Sequence, residues 1–372
     1  MKNRMTTLRR NAASLRGYFL GTHRIKTFPR HLFNLSTVCA LLLFAETSHA
    51  QNYPADLAEL SLEKFLNLEI TPDTRDLNSN FAAGLYTIRL QFSQNSLNEI
   101  RSSSAKLPLR EVLGTYPIAP VRMLISYKIF EFRYNIIDNF AIGMRLPYIK
   151  QSTLHSKSDL SQFEVTTSGP GDLQLLSQVN LSRNRDIHFS VNFGLSLPTG
   201  SIDEKATTPR GPNTQLPYTM QLGSGTFDID SGFNFALQRN KWIWGMMLQG
   251  KIRSGRNDHD YKLGNGAYFT TWLLCDRTSW LAPSLQVNIN YWQQISGGDR
   301  GLDPAVVLMG DARNYGGLRI DLVFSSHILN KERDGLGNRL GFDIGLPVYQ
   351  SLNGPQLANT TRFSLAWQYS FR

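Results

Sequence analysis

Charged residues of both signs recur two positions apart along this 372-residue sequence: Asp228 and Asp230, Lys251 and Arg253, Arg319 and Asp321. Four further charges, Arg122, Lys128, Arg145 and Asp343, sit between apolar neighbours in the same manner. A spacing of two places side chains on one face of a β-strand. Carboxylates facing guanidiniums and ammoniums on such a face can pair and stiffen it. If the face lines a passage, they also sort solutes by charge. With the apolar registers turned to lipid, these ten residues are the lumen-facing candidates.

Other chemistry is sparse. Past residue 50 the histidines are His155, His188, His259 and His327, and no serine nucleophile motif accompanies them. Twelve-stranded outer-membrane phospholipases carry a Ser-His pair on the outer face of the barrel, and nothing here resembles it. "NDHDY" (Asn257 to Tyr261) offers three adjacent oxygen and nitrogen ligands without a distant partner, so it reads as a solvated loop tip. No EF-hand spacing and no phosphate-cradling Gly loop followed by Lys occurs. The expectation is a non-enzyme with no cofactor and no metal.

The elements that must position these charges alternate with period two. "DIHFSVNFGLSL" sets Ile187, Phe189, Val191, Phe193 and Leu195 against His188, Ser190, Asn192 and Gly194. "PSLQVNINYW" does the same with Leu285, Val287 and Ile289 against Gln286, Asn288 and Asn290. A soluble β-sandwich alternates likewise. These segments are longer than the roughly five or six residues usual for soluble strands, and a tilted membrane strand needs about nine to eleven. Tyr148, Trp242, Trp244, Trp280, Trp292, Tyr349 and Trp367 gather near strand ends, as interfacial girdles do. Twelve strands are expected, near 84–94, 121–134, 139–149, 171–182, 186–197, 226–238, 241–254, 264–276, 279–293, 315–325, 338–349 and 361–371. Long connections (95–120, 150–170, 198–225) alternate with tight ones, as external loops alternate with periplasmic turns. The connection 326–337 is long for a turn. An even count puts both barrel ends in the periplasm.

The formal charge of +10 is concentrated at the front. Residues 1–50 hold eight Lys/Arg and one Glu, leaving 31 against 28 beyond them, too even for a nucleic-acid footprint. "FNLSTVCALLLFA" followed by Ser48-His49-Ala50 reads as an export signal cleaved before Gln51. Residues 51–80 form a periplasmic segment with a short helix over 56–70, capped by Asp56 and Glu59. That helix is expected to rest on the barrel, to enter its lumen as a partial stopper, or to dock a periplasmic partner. The barrel spans 81–372. No run past residue 50 reaches the roughly 18 apolar residues of a spanning helix.

Two stretches resemble one family. "YNIIDNFAIGMRLPYI" and "GPGDLQLLSQVNL…HFSVNFGLSLPTGSID" are similar to recurrent units of the outer-membrane transporters named after the meta-cleavage pathway of phenol degradation. The marks are Gly171-Asp172 before a strand and Leu197-Pro198-Thr199-Gly200 closing one. "LGSGTFDIDSGFNF" resembles the next unit, and together they cover roughly 120 to 355. The resemblance implies passage of small, aromatic or poorly soluble molecules. The aromatic last strand, "RFSLAWQYSF", resembles the segment read by the outer-membrane assembly machinery, with Arg372 following its Phe371.

The reading is therefore all-β: a closed antiparallel transmembrane β-barrel of about twelve strands in the outer membrane of a Gram-negative-type bacterium. Its partners are the bilayer and its outer-membrane lipids, the assembly machinery and a small-molecule solute, with no nucleic acid. The alternative is a structural or adhesive barrel acting through its external loops.

Overall fold

A computed structural model of the chain describes residues 82–182, 186–275, 281–329 and 336–372. The export signal and the 56–70 helix lie outside the described residues. The alternating segments form strands: β1 (Tyr86–Ser103), β2 (Ile118–Ile137), β3 (Phe140–Lys157), β4 (Gln162–Pro170 and Leu173–Asn180), β5 (Ile187–Leu197), β6 (Phe227–Arg239), β7 (Trp242–Ser254), β8 (Gly266–Cys275), β9 (Leu281–Trp292) and β10 (Gly317–Leu329). Each pairs antiparallel with the next.

The last element, Gly337–Phe371, pairs antiparallel with both β10 and β1. Those two run in opposite directions, so one straight strand cannot oppose both. The element doubles back at 353–355, where Gly354 takes φ +66°. Its rising arm is β11 (337–352) and its falling arm β12 (356–371). Ten strands and two arms give twelve passes, and β12 on β1 closes the barrel. Closure leaves no unpaired edge in the membrane.

Polarity is reversed relative to a soluble fold. Phe193, Phe324 and Ile252 are 51%, 53% and 59% exposed on the outside, while Ser190 and Asn288 inside are fully buried. At the seam, Tyr86 faces Phe371 and Leu90 faces Trp367. Tyr134, Tyr86, Phe371 and Tyr369 stack in a row at 4.6, 5.4 and 5.5 Å. Thr87 and Ser370 meet inside it at 3.1 Å. The alternation of large aromatic and small polar residues in β12 thus fits a strand with a lipid face and a lumen face.

Four connections differ from expectation. Most of 95–120 and 150–170 is strand, because β1, β2, β3 and β4 rise well past the apolar belt. The connection left between the expected strands 338–349 and 361–371 shortens to a turn at 353–355. The connection read as 326–337 shortens, since β10 runs to Leu329 and the next element starts at Gly337.

Candidate functional site: a charged lumen beneath an infolded cap

Eight of the sequence candidates, Arg145, Asp228, Asp230, Lys251, Arg253, Arg319, Asp321 and Asp343, are buried inside the barrel. The ladder register brings them together. Asp228 opposes Arg253 and Asp230 opposes Lys251 across β6–β7. Arg253 Nη1 lies 2.6 Å from Asp228 Oδ2, and Lys251 Nζ lies 3.1 Å from Asp230 Oδ2. Arg319 Nε reaches Asp321 Oδ1 at 3.1 Å along β10. Ser364 Oγ donates to Asp343 at 2.6 Å. Arg145 pairs with Glu131 at 2.7 Å.

Arg122 and Lys128 are placed on the other face, against expectation. Met123, Ile125 and Tyr127 are fully buried and Ile129 nearly so, while Lys128 is exposed on the outer wall and Arg122 is half-buried there. The cause is what fills the barrel at that height. Inside, folded-in loops supply apolar partners. Outside, β2 has risen to the rim of the lipid belt, where Lys128 lies beside Tyr148. Trp292, expected in a girdle, is likewise turned inward, into the same apolar cluster.

The inverted register hid three charges on the lumen wall. Arg89 faces Glu131, and Arg133 follows two residues on. The signal was present: the register of Met123, Ile125, Tyr127 and Ile129 continues directly into Glu131 and Arg133, which suit a lumen far better than lipid. Arg362, also buried, completes the set on β12.

The cap is built by two external loops. In the first, 198–226, a 3-10 turn at Tyr218–Met220 enters the lumen. Thr153 Oγ1 contacts Met220 Sδ at 2.9 Å, Thr167 Oγ1 donates to the Met220 carbonyl at 2.9 Å, and Gln151 Nε2 to the Gln221 carbonyl at 3.0 Å. In the second, Leu308 and Met309 join Met220, Leu222, Met123, Ile125 and Tyr127 in one apolar cluster. The helix α1 (Leu109–Leu113) adds Val112 and Leu113 to it.

The family-like motifs converge on a latch at the root of the first loop. Asp172 accepts from Gly200 N (2.8 Å), Ser224 N (2.8 Å) and Ser224 Oγ (2.7 Å). Thr199 Oγ1 accepts from Leu173 N at 2.9 Å. Gly200 and Gly223 touch backbone to backbone, and a Cβ on Gly223 would fall 2.3 Å from the Gly200 carbonyl oxygen. The motifs therefore hold both ends of 201–222 together and aim it inward.

His259 ties three external loops. Its Nε2 lies 2.9 Å from Asp203 and its Nδ1 2.9 Å from Asp299. The distant partners that "NDHDY" lacked in sequence are thus present. They bind opposite edges of the ring, which is the geometry of a strap and not of a chelate. Nearby, burial works against the Asp311 carboxylate, but Arg313 outweighs it and holds its pKa below the ordinary value. His155, His188 and His327 all point into the barrel, so none of the described histidines lies on the lipid-facing wall.

No protein-family model matches the chain, and no curated protein does. Among solved structures, the crystal structure of an outer-membrane channel from Pseudomonas putida F1 superposes with a TM-score of 0.53 at 12% identity, covering 82% of this chain and 100% of that one. Weaker likenesses include the transport unit of the autotransporter AIDA-I from Escherichia coli (TM-score 0.42, 10% identity, 86% and 100% covered). The NanC porin is another (0.40, 7%, 76% and 98%). The fold is that of a closed, antiparallel outer-membrane-type β-barrel.

Proposed function

We propose that this barrel is a passive channel for small molecules, with aromatic or other poorly soluble compounds as its solutes. The observation that carries the reading is the lumen wall, where buried ion pairs and amides face inward around a cavity lined by Glu131, Arg133, Arg145, Gln178, Asn192 and Gln249. The resemblance to the phenol-degradation transporters supports the solute class. Twelve strands enclose a narrower space than a sixteen-stranded porin, which suits selective passage over general sieving.

The test is flux through liposomes carrying the purified, refolded chain, comparing phenol with a sugar of similar size. Phenol entry above the rate of protein-free liposomes, with no such gain for the sugar, supports the reading. No gain for either over protein-free liposomes, from a barrel shown to be folded, removes it. The second reading, a structural or adhesive barrel acting through its loops, is favoured by one observation: the cap packs an apolar core across the external half of the lumen.

A further inference from the structure

We infer that His259 is a pH-sensitive strap: raising the pH frees the loop that bears Asp203, while the loop that bears Asp299 stays tied. Three external loops meet at this ring. Loop 198–226 arrives through Asp203, loop 293–316 through Asp299, and loop 255–265 carries the histidine itself. Nε2 lies 2.9 Å from Asp203 Oδ1, and Nδ1 lies 2.9 Å from Asp299 Oδ2. An ionised carboxylate only accepts hydrogen bonds, so each contact needs an N–H on the ring. A neutral imidazole has one N–H and an imidazolium has two. Both contacts are therefore satisfied together only by the doubly protonated ring, whose charge also suits two carboxylates. Asp258 and Asp260 flank the ring along its own loop, and Asp260 is engaged by Arg300 of the third loop at 2.9 Å. Tyr218 of the first loop accepts from the Asp299 amide at 3.0 Å. Histidine is the side chain whose charge changes near neutral pH, which makes this junction a place where protons act on loops.

Burial decides which contact yields when the second proton leaves. The Asp299 side chain is 4% exposed and that of Asp203 68%. A buried carboxylate turned to a bare ring nitrogen has no water to replace the lost donor. An exposed carboxylate exchanges the ring for water at little cost. The remaining proton thus stays on Nδ1 against Asp299, and Asp203 is left facing a lone pair. The backbone around the ring does not follow Asp203. His259 N donates to Asn257 Oδ1 at 3.1 Å, and Asn257 Nδ2 donates to the Ser224 carbonyl at 3.0 Å. The latch on Asp172 holds the root of the first loop independently. What loosens is the outer arm, 201–216, with its small hairpin of Lys205–Thr208 on Gly211–Gln215. Its reporters are the Leu216 amide, bonded to the Glu204 carbonyl at 3.0 Å, and the Glu204 amide, bonded to Gln221 Oε1 at 2.9 Å.

The test is amide hydrogen exchange of the folded full chain in detergent at pH 5.5 and pH 9. Rates are expressed as protection relative to the unfolded chain, so that the intrinsic pH dependence of exchange cancels. Protection within 201–216 is expected to fall about threefold at the higher pH, the scale of one exposed charged contact. Protection within 296–303 should hold. His259→Ala should leave both segments weakly protected at both pH values. Asp203→Asn should restore protection at pH 9, because a side-chain amide can offer its oxygen to an N–H or its N–H to a bare nitrogen. Heat-modifiable gel migration checks that each variant is folded. Equal protection of 201–216 at the two pH values in the native chain overturns the strap. A loss in 296–303 as large as that in 201–216 overturns the placing of the retained proton on Nδ1. A native-sized pH step surviving in His259→Ala assigns the step to another group and overturns the inference.

Discussion

Arg253 and Asp228 show how much one residue pair holds. The two side chains are almost fully buried, 2.6 Å apart, and Thr226 Oγ1 adds a 2.7 Å bond to the carboxylate. Arg253 Nε also donates to the Gly264 carbonyl at 3.2 Å, so the pair joins β6 to the 255–265 loop. Removing Asp228 takes from the buried Arg253 guanidinium its 2.6 Å carboxylate contact. Asp228→Ala should therefore cost about 3 kcal/mol, read as a lower urea midpoint in detergent. The double change Asp228→Ala with Arg253→Met should cost clearly less than the two singles together. At this scale the sequence was legible where a charge sat between apolar neighbours on a strand, as at Arg319 and Asp321, which the fold turns inward. It misled at Arg122 and Lys128, because period two separates two faces without saying which one faces lipid. What decides that is the height at which loops enter the barrel, and loop paths leave no periodic trace.

At the scale of elements, strands and tight turns could be read directly, because alternation over ten or more residues is a strong pattern. Infolding could not. Tyr218-Thr219-Met220 looks like any loop until Asp172 and Gly200 are seen to clamp its root. Asp172→Ala removes three hydrogen bonds worth about 1 kcal/mol each. The expected outcome is an intact barrel with larger, noisier single-channel conductance, since Met220 and Leu222 leave the apolar cluster. His259→Ala should act differently. It cuts the ties to Asp203 and Asp299 without touching the latch, so limited proteolysis should quicken within 198–226, 255–265 and 293–316 while conductance changes little.

For the whole molecule, closure of β12 onto β1 predicts heat-modifiable migration: compact in detergent before boiling, slower after. Unaltered migration would count against a closed barrel. The cap adds a second consequence. Its cluster is apolar inside and its outer wall, with Lys128, Lys150 and Ser152, is polar. The external half is thus assembled like a small water-soluble protein set on a cylinder assembled for lipid. Only the soluble-type half transfers apolar surface to water when it opens, and only such transfer raises the heat capacity strongly. Calorimetry in detergent should show a heat-capacity step far below that of a soluble protein of this length, and Asp172→Ala should shrink it further. The molecule carries two kinds of stability, and temperature, denaturant and detergent each address a different one.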